Sequence, residues 1–117
     1  MRIDIRGRNV EITPELQEHV EKRFRRIGKQ ISDLAQLEVE LREERNPSIS
    51  DSQVAAATLH LKGITLRAEE SSPEMMHSVH ELAEDMRRQV KRHRAKRRKR
   101  RRTRREVRAL RGRSVQS

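Results

Sequence analysis

Cysteine is absent from the 117 residues, which excludes disulfides, thiolate metal sites and thiol nucleophiles, and is compatible with a reducing cytosol. Aromatic side chains are almost absent too: there is no Trp or Tyr, and Phe24 stands alone. Single-strand binding by stacked bases needs aromatic platforms, so that mode is disfavoured. The four glycines are scattered, and no glycine-rich phosphate loop is present. No early apolar segment suggests a signal peptide, and no apolar run is long enough to cross a bilayer. A cytoplasmic protein with no membrane partner is the expectation.

Acid is missing from one stretch in particular. From Arg87 to Arg113 seventeen Lys or Arg stand against Glu106 alone, whereas residues 1–86 carry twelve Lys or Arg and seventeen acids, a net of −5. The whole chain sums to +11. An acidic body with one basic limb is an oriented electrostatic footprint, and a cationic run of this density repels itself unless an anion meets it. The implied ligand is polyphosphate, with nucleic acid the foremost candidate. The length suits one domain.

The pattern along the chain gives six elements. Ile3 and Ile5 alternate with polar residues in a short strand closed by Gly7. Thr13 is an N-cap and Pro14 a first helical residue, with Glu15 and Glu18 at the positive end of the dipole. Leu16, Val20, Phe24, Ile27 and Ile31 then fall on one helical stripe. Leu37, Val39 and Leu41 alternate with Glu38 and Glu40, and an exposed connection containing Pro47 follows. Ala55, Ala57, Leu59 and Leu61 oppose Thr58 and His60, and Lys62-Gly63 turns the chain into a strand carrying Ile64, Leu66 and Ala68. Ser71 or Ser72 caps a last helix from about Pro73, whose stripe is Met75, Val79, Leu82, Ala83, Met86 and Val90.

The order β-α-β-β-β-α with one apolar face per strand predicts an α+β two-layer sandwich: a four-stranded sheet with both helices on one face. Residues 1–96 make the domain and 97–117 an arginine-rich tail. Past Val90 only Ala95 continues the apolar face, so the tail from about Arg100 is expected to lack fixed structure until it meets RNA.

Nothing points to catalysis. His77 and His80 have a spacing that can hold a metal, but no carboxylate or thiol completes a motif. His19 borders the first apolar stripe as a packing residue, and the carboxylates at 38, 40, 43 and 44 form an exposed strand face, not an acid–base pair. No catalytic residue, metal, cofactor or small-molecule substrate is expected. The bases Lys22, Arg25, Arg26 and Lys29 point away from the first stripe. They complement the helix dipole and become a binding surface only if that helix lies beside the basic end of the last one.

Three segments, NVEITPELQEHVEKRF, ATLHLKGITLRAEESSPEMMHSV and RRQVKRHRAK, resemble the ribosome hibernation promoting factor family, which includes protein Y. The resemblance covers about residues 1–96. It implies a layout similar to a double-stranded RNA binding domain, and a site on the small ribosomal subunit, in the channel that holds messenger RNA and tRNA anticodons. Occupying that channel would inhibit translation in idle or stressed cells, through contacts with ribosomal RNA. The family's basic positions fall on Arg23 and Arg26 and on Arg88, Arg92, Arg94 and Lys96; Lys29 and Lys91 extend the patch on physical grounds. Met76, His80 and Asp85 depart from the family, which commonly has Tyr, Asp and Lys there. The competing expectation is a non-specific duplex RNA or DNA binder driven by the tail.

Overall fold

A computed structural model describes residues 1–46 and 48–115, with side chains through residue 108. Pro47 and the last two residues of the tail lie outside the described residues. The elements are β1 Arg2–Arg8, α1 Pro14–Gly28, β2 Gln36–Glu43, β3 Gln53–Leu61, β4 Ile64–Ser72 and α2 Met75–Val115. The expected order is therefore present.

The strands form one sheet in the order β1-β2-β3-β4. β1 and β2 are parallel because α1 carries the chain back across the sheet, and the other neighbours are antiparallel. Each strand turns one face inward. Leu37, Val39, Leu41, Ala55, Ala57, Leu59 and Ala68 form a single buried cluster with Val20, Phe24 and Ile27 of α1 and Val79, Leu82, Met86 and Val90 of α2. One cluster containing both helices and one sheet face fixes the two-layer arrangement.

Local chemistry sets the boundaries. The Thr13 hydroxyl accepts the Leu16 N–H at 3.2 Å, capping α1. The helix ends at Gly28, yet Ile31 beyond it still packs on the core. β1 closes where Gly7 lets the Val10 carbonyl come so near that a Cβ would collide with it. Leu61 pairs with Ile64, leaving a two-residue loop in which Gly63 takes φ 79°. α2 starts at Met75, two residues later than the sequence suggests, because β4 runs on through Ser72. Ser78 then ties it down: its hydroxyl donates to the Gln53 carbonyl at 2.6 Å and lies 2.6 Å from Ser72 Oγ.

The sheet's other face is polar and charge-balanced. Near the end of β2 the half-buried Arg42 guanidinium reaches Glu69 at 2.6 Å and Glu44 at 3.1 Å, with Glu40 at 3.9 Å. Past Val90, α2 continues through Val115, across the stretch from about Arg100 that is expected to lack fixed structure until it meets RNA. Arg and Lys are good helix formers, and neither Gly nor Pro interrupts the segment before Gly112.

Candidate nucleic-acid interface

The basic end of α1 meets the stretch of α2 where that helix turns basic. Arg23 Nη1 lies 2.9 Å from His80 Nδ1, and further along, Gln30 and Ile31 border the same cleft as His93, Arg94 and Arg97. The two helices therefore advance in the same direction. α1 carries Glu15 in its first turn, α2 has its first acids further in at Glu81, Glu84 and Asp85, and each turns cationic beyond them. The negative dipole end of α1 lies there and its last-turn cations complement it, whereas α2 runs on past that point to Val115.

Helical phase sorts the residues that the sequence singles out. At about 100° per residue, Lys91 and Arg94 fall within about 40° of His80, the side of α2 that meets Arg23. Arg88 and Arg92 lie roughly 80° and 120° further round, and Lys96 roughly 160°. In keeping with this, Arg88, Arg92 and Lys96 are exposed while Arg94 is half-buried. On α1, Arg23 faces α2, Arg26 lies about 60° round towards solvent, and Lys29 borders a separate cleft with Met1, Glu21 and Asp33. The structure thus joins Arg23 to the α2 flank of Lys91 and Arg94. Arg88 and Arg92 instead look outward from the helical layer, and Lys29 stands apart.

Three of the five histidines have tertiary explanations. Arginine has only donors, so the Arg23–His80 contact is a hydrogen bond accepted by Nδ1. His19 is held below its ordinary value of 6.5, first by burial and then by the charges of Arg23, Lys22 and His80. Its Nε2 is buried with no hydrogen-bond partner among the described residues. His60 pairs across the open face with Glu38 at 3.3 Å. Among the described residues no three His, Asp or Glu side chains are placed to hold a metal, and no helix is long and apolar enough to cross a membrane.

Sequence reasoning missed Lys62, Arg97, Arg98 and Arg101, which share the cleft with Arg94. Lys62 arrives there through the β3–β4 turn, and the only hint in the sequence was its position beside Gly63.

Residues 3–98 match the family described as Sigma 54 modulation protein / S30EA ribosomal protein. The chain belongs to this family. Relatives include the ribosome hibernation promoting factor of Salmonella typhimurium, 33% identical over 96 residues that cover 82% of this chain and 96% of that protein. The Acinetobacter guillouiae protein of the same name is 31% identical over 99 residues, 80% of this chain and 88% of its own. Among solved structures, the N-terminal domain of Thermus thermophilus protein Y superposes with a TM-score of 0.69 at 26% identity, covering 79% of this chain and 98% of that domain. The family match ends within α2, so most of the arginine-rich tail lies outside it.

Proposed function

We propose that this family member is a ribosome hibernation factor that binds ribosomal RNA of the small subunit in the messenger and tRNA channel and inhibits translation in idle or stressed cells. One observation carries the reading: in a chain whose relatives bear the hibernation name, two helices run in the same direction and bring the basic end of α1 to the stretch where α2 turns basic. The exposed bases Arg26, Arg88, Lys91, Arg92 and Lys96, with Arg23 and Arg94 between the helices, contact phosphates. Such contacts position a protein and read little sequence, and each neutralised phosphate makes affinity fall with salt. Lys29, on the far side of α1, adds charge without joining the main surface. The mechanism is occupancy, with no bond made or broken.

A second reading has its own observation. Residues 97 to 108 are exposed along α2, and Glu106 is the one acid among them. That arm alone would attract any duplex. Sedimentation of lysate separates the two: a hibernation factor travels with small subunits and whole ribosomes and arrests translation in an extract, whereas a general polycation spreads over all nucleic acid. Recovery on DNA and bulk RNA in proportion to their mass would overturn the first reading.

A further inference from the structure

The inward stripe of α2 does not end with the core. After Val90 it continues as His93, Arg94, Arg97 and Arg101, and these side chains, with Arg98 and Lys62, line a cleft of about 380 Å³. Four arginines and a lysine therefore surround one small volume. The floor is apolar where Ile31 and Leu61 reach it from the end of α1 and the end of β3.

The charge here is uncompensated. On the body of the domain some arginines find acids: Arg25 meets Glu21, Arg87 meets Glu84, and Arg42 has three carboxylates around it. Among the described residues, none of the five cations of the cleft has an ion-pair partner, and no carboxylate lines it. Arginine does not relieve such crowding by losing its proton. An anion does.

Size and spacing narrow the anion. The volume sits at the low end of the roughly 300–1,000 Å³ of small-ligand sites, so a duplex can lie across the mouth but cannot enter. From Arg94 to Arg101 the cations extend about 10 Å along the helix axis, more than one phosphate covers. We propose that this cleft binds a short polyphosphate of two or three linked phosphates, either inorganic or carried on a nucleoside whose base lies against Ile31 and Leu61. Guanidinium forks grip the phosphate oxygens in pairs. Because Arg94 also lies on the surface offered to RNA, the bound polyphosphate competes with RNA for that side chain. Binding to the cleft needs no ribosome.

The test is a titration of the free protein, followed by amide NMR at fixed ionic strength, with inorganic tripolyphosphate, a nucleoside triphosphate, a nucleoside monophosphate and sulfate. Both triphosphates should bind at least tenfold tighter than the monophosphate or sulfate, and should shift the amides of Ser32, Leu61 and Gly63, which lie off α2. Tighter binding of the nucleotide identifies the nucleoside form as the ligand, and equal or tighter binding of tripolyphosphate identifies the inorganic one. Lys62→Glu with Arg97→Glu should weaken triphosphate binding at least tenfold. Arg45→Glu with Arg67→Glu changes net charge equally away from the cleft and should leave it within twofold. Shifts confined to α2 beyond Arg98, or equal weakening by the two pairs, would overturn the proposal, since either marks diffuse attraction to the arm. Failure here leaves the ribosome reading untouched, because ribosome pelleting measures that separately.

Discussion

Glu70 on β4 and Asp85 on α2 face each other across the seam between sheet and helix, and both are half-buried. Burial first, then the Asp85 and Glu81 charges, raise the Glu70 carboxyl above its ordinary value of 4.5, with Arg88 opposing. A raised folded-state value means that the folded protein holds more protons than the unfolded chain as pH climbs through the carboxylate range. Its contribution is therefore fully favourable below the ordinary value and is lost as pH rises through the folded one. Glu70→Gln should make the protein more stable at pH 7 by about 0.5 kcal/mol, the scale of a partly exposed charge interaction. Urea titrations at pH 7 and pH 4 check this; the gain should close at the lower pH, and an equal gain at both would contradict the assignment. The pair could not be read from sequence, since strand and helix must dock before residues fifteen apart meet. The Thr13 cap could, because a cap and its N–H lie within one turn. His80 is an intermediate case: its chemistry is visible in the sequence, but its partner Arg23 is 57 residues away.

The strands announced themselves because a half-buried strand alternates, and Leu37, Val39 and Leu41 do so with acids between them. The position of β1 was not announced. Its parallel pairing with β2 is set by the return path of α1, which no local pattern encodes. α2 shows a similar division. Its core half follows from spacing, since Val79, Leu82, Met86 and Val90 are completely buried, whereas its outer half has no stripe to read. Helical propensity and charge oppose each other there: Arg and Lys favour the helix, but crowded like charges destabilise i,i+4 neighbours, and no packing offsets the loss. The segment from Arg100 should therefore exchange its backbone amides within the dead time of a hydrogen–deuterium experiment in the free protein. It should gain protection when RNA is added, while the amides of Val79 to Val90 stay protected throughout. Slow exchange beyond Arg100 without ligand would show that the arm is a rigid rod before it meets anything.

The molecule measures 73 × 29 × 17 Å, with a radius of gyration of 19.4 Å, against about 13 Å for a compact chain of this size. The excess is α2 leaving its domain, so the protein has two cationic parts of different character. One is the surface where α1 ends beside α2, and the other is an arm that can approach phosphate from any direction. If the surface selects the ribosome and the arm adds only attraction, the two can be separated. Arg88 and Arg92 are exposed and off the core stripe, so Arg88→Glu with Arg92→Glu should leave the fold intact, seen as a retained cooperative thermal melt, while abolishing inhibition of translation. Deleting the residues after Lys99 should instead weaken binding and flatten its dependence on salt, because fewer counterions are released, yet retain a preference for ribosomes over bulk RNA. Ribosome pelleting over a salt series, run beside an extract translation assay, reads both variants. If the charge-reversed protein inhibits as well as the original and the truncated one does not, affinity resides in the arm and the domain merely carries it.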